Sequence, residues 1–163
     1  MIDRTSKNQK IPDNLIKYKP KIDRALSKLT ERNNDELGNM IKYHLGYSDD
    51  GPGQLAGKAI RPSLCLFTAE ALGGEVDDAL AAACSLELIH NYSLVHDDIQ
   101  DDDDMRRGMK TVKAIWGDNQ AINAGDGLKD LSVLALFEVP PRGNNKLMIE
   151  SIKILSEIGR AHV

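Results

Sequence analysis

The sequence predicts an all-α protein. Apolar residues recur at three- and four-residue spacing through every long segment. Glycines and prolines gather mainly between those segments, and no stretch shows the two-residue alternation of a half-buried strand. No internal repeat or low-complexity linker interrupts the pattern.

The elements follow in order. Residues 1–10 are polar and expected to be frayed. Ile11 to Thr30 carries a helical pattern with Leu15, Ile22, Leu26 and Leu29 to one side, and Pro20 is expected to break it. Asp35 to Tyr47 reads as a helix with Leu37, Met40, Ile41 and Leu45 inward, capped by Asn34 or Asp35. The run SDDGPGQLAGKAIRP (48–62) reads as a loop. Its last residue, Pro62, suits the first turn of a helix that runs through SLCLFTAEAL until Gly73 and Gly74 stop it. A long helix is predicted from Val76 to about Asp102, with Gly108 ending the turn after it. TVKAIWG (111–117) reads as a short helix or turn, and 118–139 as another long helix closed by Pro140 and Pro141. NKLMIESIKILSEI (145–158) opens one more.

At 163 residues the chain is the size of one domain, and its 41% apolar and 28% charged residues are those of a water-soluble globule. No apolar run is long enough to span a bilayer, and MIDRTSKNQK lacks a signal-peptide core. Cys65 and Cys84 sit inside apolar helical patterns, which suggests reduced core thiols and a cytoplasmic protein. The net charge of −4 comes without a basic stripe, and aromatic residues are only 4%, so neither general nucleic-acid binding nor single-strand stacking is expected.

The charge is unevenly placed. Six of the 25 acidic residues fall between Asp97 and Asp104, with Arg106 and Arg107 directly after them. On a helix Asp97 and Asp101 are neighbours on one face, and His90 lies within about 40° of the same stripe. Two carboxylates one turn apart offer hard oxygen ligands to Mg²⁺, which commonly completes its shell with water and substrate phosphate. Arginine forks would take phosphate oxygens directly. An acidic run by itself is most often a solvated helix face. An EF-hand loop is not supported, because the block lacks the central glycine and alternating ligands.

The company of the block decides between these readings. GKAIRP (57–62), ELIHNYSLVHDDIQDDDDMRRG (87–108), TVKAIWG (111–117) and QAINAGDGL (120–128) together resemble the trans-isoprenyl diphosphate synthases, or polyprenyl synthetases. The resemblance is strong over roughly 55–130 and specific as an ordered set. It implies an isoprenoid-synthase helical bundle, a Mg²⁺ cofactor, and extension of an allylic diphosphate by isopentenyl diphosphate, usually in a homodimer. It assigns Lys58, Arg61 and His90 to the isopentenyl diphosphate, with Arg107 beside them. Asp97 and Asp101 are assigned to Mg²⁺ with the allylic diphosphate, and Arg106 to that same diphosphate. Tyr92, five residues before Asp97, stands where the family sets product length, which implies a short product of farnesyl or geranylgeranyl type. Asp126 belongs to the family's GD element, as metal support or as helix packing, while His96, Cys84 and Trp116 read as structural. Three departures are visible: Ala56-Gly57 precedes the lysine where two glycines are usual, Ala59 follows it where a basic residue is usual, and Lys129 and Asp130 interrupt an expected apolar run after GDGL.

The family carries a second aspartate-rich motif on a later helix, and no paired aspartates recur here after Asp130. The chain is therefore expected to be the N-terminal portion, 1–156, of a longer synthase, and inactive alone. The last seven residues, EIGRAHV, back-translate into the start of a common sequencing adapter, so 157–163 is expected to be read-through; sequencing the source locus past the Ser156 codon tests this. Two other roles share parts of the pattern. A terpene cyclase also uses DDxxD but has no isopentenyl partner for Lys58, Arg61 and Arg107 to hold. A non-catalytic regulatory subunit would lack the second motif in a complete reading frame.

Overall fold

The computed structural model describes residues 13–31, 35–48, 58–138 and 145–160. Four expectations lie outside them: the fraying of 1–10, the Asn34 cap, Gly57 with most of its loop, and the Pro140-Pro141 stop. The elements are α1 (Asp13–Ile16), α2 (Lys19–Thr30), α3 (Glu36–Leu45), α4 (Ile60–Ala71), α5 (Val76–Gln100), β1 (Met105–Arg106), β2 (Met109–Lys110), α6 (Val112–Trp116), α7 (Asp118–Glu138) and α8 (Asn145–Arg160). The all-α expectation holds, with one two-stranded hairpin that the sequence pattern did not predict.

The long helix α5 is the axis of the structure, packed on α4 and most extensively on α7. It sends Leu80, Ala83, Cys84, Leu88 and Val95 into a main core shared with α2, α3 and α7. Ala81 and Ile89 face a second cluster with Leu136 and Leu155. A helix buried on two sides carries apolar residues around more of its circumference than a single stripe. Each large aliphatic side chain fully buried in this way contributes roughly 1.5–3 kcal/mol. Cys84 is fully buried and Cys65 half-buried, both as free thiols, and burial pushes the Cys84 thiol up to about 12.

Caps set several boundaries. Asp35 accepts from the Gly38 N–H at 2.7 Å to start α3, and Gly46 closes it in the left-handed conformation. Pro20 behaves differently from the expectation. It sits inside the first turn of α2, where its missing N–H is one of the donors a helix start leaves unpaired, and the break falls before it. The end of α5 also moves: the helix stops at Gln100, Asp101 caps it, and Asp102 turns left-handed at φ 57°. No described helix is long and apolar enough to cross a membrane.

Helices α5 and α7 approach closely at Gly125. A Cβ there would overlap the His96 imidazole at Nε2 and Cδ2, so only glycine admits this ring between the helices. The GD element is thus a packing feature at its glycine. The same ring lies 4.6 Å from the Tyr92 ring, centroid to centroid.

Candidate active site

The site is built at the C-terminal end of α5, where the chain must turn sharply. The N–H groups of Asp101 and Asp103 bond the carbonyls of Asp97 and Asp98 at 2.8 and 2.9 Å, which prolongs the last turn. Asp97 and Asp101 therefore remain one turn apart on one face, as the spacing predicts. Thr111 ties the return of the hairpin to the same segment. Its N–H bonds the Asp104 carbonyl and its hydroxyl the Asp103 carbonyl, while its oxygen accepts the Ala114 N–H to cap α6.

Six aspartates at the negative end of a helix dipole, with no basic residue in its last turn, are mutually unfavourable. The structure resolves part of this charge internally. Arg106 Nε donates to Asp98 Oδ1 at 2.6 Å, and Lys113 pairs with Asp102. Asp98 is only 2% exposed, and burial nonetheless raises its carboxyl above the usual range against the pull of Arg106. Asp97 is half-buried and Asp101 exposed, and among the described residues neither is paired with a cationic side chain. Among the described residues no three His, Cys, Asp or Glu side chains converge on one point. Two hard carboxylates free on one helical turn suit a divalent ion that keeps much of its water.

The hairpin displays the arginines. β1 and β2 pair antiparallel, Met105 with Lys110 and Arg106 with Met109. Its two-residue loop is Arg107-Gly108, with φ of 52° and 81°, the left-handed pair that a tight hairpin favours. Glycine takes this conformation freely, whereas an arginine there costs roughly 1–2 kcal/mol. The described non-glycine residues with positive φ are Ala59, Asp102 and Arg107, and all three lie in the loops of this site.

Arg107 reaches a cleft of about 350 Å³ whose other walls are Lys58, Ala59, Ile60, Arg61, Glu87 and His90. Arg61 Nη1 lies 3.2 Å from His90 Nε2. Since a guanidinium only donates, Nε2 is the acceptor in this contact. The structure thus brings Lys58, Arg61, His90 and Arg107 together, as the resemblance implies. Arg106 does not line this cleft: it turns toward Asp98 and keeps its terminal nitrogens for other partners. His90 shares a helix stripe with Asp97 but stands two turns away from it, facing α4. Tyr92 points toward α7, with Lys129 Nζ 5.8 Å from its ring centre. Asp126 is exposed and 3.9 Å from His96 Nε2.

Sequence reading missed Asp98, Glu87, Asn91 and His44. Glu87 is almost fully buried in the cleft wall, and burial raises its carboxyl above the usual range, with Asn91, Arg107 and Arg61 pulling the other way. Asn91 donates to the Glu87 carbonyl at 2.8 Å. The available signal was a Glu-His-Asn cluster on an otherwise apolar helix, since buried polar residues in such a run need a reason.

A model of the polyprenyl synthetase family matches residues 52–161. The chain is 42% identical over 117 residues to a (2E,6E)-farnesyl diphosphate synthase of Mycobacterium tuberculosis, covering 70% of this chain and 33% of that protein. It is 41% identical over 104 residues to a geranylgeranyl pyrophosphate synthase of Geoglobus acetivorans, covering 63% and 33%. Among solved structures, the geranylgeranyl pyrophosphate synthetase of the same archaeon superposes with a TM-score of 0.72 at 33% identity, over 91% of this chain and 45% of that one. The corresponding enzyme of Pyrococcus horikoshii gives 0.72 at 34% identity, over 92% and 43%. The fold is therefore the all-α frame of the isoprenyl synthases. The chain belongs to the polyprenyl synthetase family. It spans about a third of the length of the curated relatives it matches.

Proposed function

We propose that the chain is part of a prenyltransferase that joins isopentenyl diphosphate to an allylic diphosphate and releases a short-chain isoprenyl diphosphate. The observation that carries this reading is the basic cleft of Lys58, Arg61, His90 and Arg107 beside a helix end whose Asp97 and Asp101 have no cationic partner among the described residues. Three fixed positive charges suit a diphosphate, and Arg107 is held in a costly backbone conformation to provide one of them.

Asp97 and Asp101 would hold Mg²⁺, which when bound neutralises the allylic diphosphate and makes it a better leaving group. Arg106 has its Nε on Asp98 and its terminal N–H groups left for the same diphosphate. Lys58, Arg61 and Arg107 hold isopentenyl diphosphate so that its double bond faces the allylic carbon. The allylic C–O bond breaks, its electron pair leaving with the diphosphate. The isopentenyl double bond then attacks the allylic cation to form the new C–C bond, and a proton is lost to restore a double bond. Preorganised donors around the departing charge give electrostatic stabilisation without reorganisation. Tyr92, wedged between α5 and α7, would limit the product to farnesyl or geranylgeranyl length. A homodimer and a cytoplasmic location belong to the same proposal.

The test is to assay the protein of the complete gene with isopentenyl diphosphate, Mg²⁺ and dimethylallyl, geranyl or farnesyl diphosphate. A short-chain prenyl diphosphate from at least one pairing is expected, and no product from any pairing overturns the reading. The 163-residue chain, with its single aspartate-rich motif, is expected to bind inorganic pyrophosphate but turn over little.

A further inference from the structure

Behind the hairpin lies a second, smaller cavity of about 40 Å³, lined by His44, Asp98, Arg106, Arg107 and Thr111 among others. That volume admits about two waters. Arg107 is the residue common to this cavity and to the basic cleft. His44 comes from α3, outside every motif of the sequence, and its Nε2 is buried without a hydrogen-bond partner among the described residues. Asn91 donates its amide to the Glu87 carbonyl at 2.8 Å, and Glu87 lines the cleft. Tyr43, one residue earlier on α3, donates to the Lys110 carbonyl at 2.9 Å and so fixes β2 against this helix.

The cavity thus sets an unpartnered imidazole nitrogen among lining residues that include two guanidinium groups, which can only donate. Burial and the charges of Arg106 and Arg107 keep the ring neutral, the form in which one ring nitrogen is free to accept. We propose that His44 is a positioning residue: its Nε2, directly or through cavity water, accepts from Arg107 and orients that guanidinium toward a diphosphate in the outer cleft. This rests on the diphosphate reading of the cleft, and the experiment separates the two.

Inorganic pyrophosphate is titrated calorimetrically into the chain and into its His44→Leu and His44→Gln variants, with the thermal midpoint of each recorded. Losing the acceptor in His44→Leu should weaken binding about tenfold, as expected for one hydrogen bond to a charged group. His44→Gln, which keeps an acceptor, should bind within about twofold of wild type. Equal affinity in wild type and His44→Leu overturns the proposal, as does equal loss of affinity and midpoint in both variants. If wild type binds no pyrophosphate, the diphosphate reading fails, and the free protein judges His44 by itself. In that case the Arg107 Nε–Hε resonance must move between wild type and His44→Gln, and the His44 ring must show a neutral, accepting Nε2 in its nitrogen shifts. An unmoved arginine resonance or a protonated ring at neutral pH overturns the proposal, also when His44→Leu does not fold.

Discussion

Acidification should destabilise the wild-type chain more than its His44→Gln variant, and the difference isolates one imidazole. Burial, reinforced by Arg106 and Arg107, lowers the His44 pKa from 6.5 to about 4, with Asn91 opposing. In the unfolded chain the same group protonates near its ordinary value. Between pH 6.5 and 4 the unfolded state therefore binds the extra proton, and stability falls as pH falls through that window. The slope approaches about 1.4 kcal/mol per pH unit and accumulates about 3 kcal/mol by pH 4. For a chain of this size that is a thermal shift of about 5–10 °C. Buried acids such as Glu87 and Asp98 titrate in both proteins and cancel in the difference. Thermal or urea denaturation followed by circular dichroism from pH 7 to 4 supplies the two curves. Parallel curves for wild type and His44→Gln would refute a ring held neutral by burial and the two arginines. A difference that grows with rising pH would reverse the sign of the argument.

Other outcomes follow from single contacts. Gly125→Ala gains up to about 1 kcal/mol of helix propensity but overpacks the His96 ring, for a net loss of about 1–2 kcal/mol. In a His96→Ala background the same substitution should be neutral or stabilising, which a double-mutant denaturation cycle reads directly. Arg106→Ala should cost more stability than Asp98→Ala, about 2–4 against about 1 kcal/mol, because it strands a carboxylate 2% exposed whereas Asp98→Ala frees an arginine 28% exposed to water. Urea midpoints at neutral pH decide the order. Arg107→Gly relieves a φ of 52°, so its thermal midpoint should not fall, while pyrophosphate affinity drops about tenfold in calorimetry.

How much of the site was legible depends on whether its residues are local in the chain. The one-turn spacing of Asp97 and Asp101, proposed to hold the metal, needs only helical periodicity, and the helix delivers it because the Asp101 N–H still bonds Asp97. The α3 cap and the α5 and α7 helices were readable for the same reason: caps and apolar spacing act within a few residues. The two-residue strands of the hairpin are too short to show an alternation, and Arg107-Gly108 is an uncommon pair for a left-handed turn. Pro20 was misplaced because a proline that breaks a helix and one that begins it look alike until the preceding turn is seen.

The sequence by itself determined the helical class, the family resemblance and the candidate ligands, since each rests on spacing along one chain segment. Which charges neutralise one another was decided only by tertiary structure. Asp98 and Asp97 are adjacent in the chain, yet one is buried against Arg106 while the other has no cationic partner among the described residues. Neighbours on a helix point about 100° apart, so adjacent identical residues meet different surroundings, and those are supplied by a hairpin folding back over α5. The same fold-back brings His44, more than sixty residues earlier, behind the two arginines.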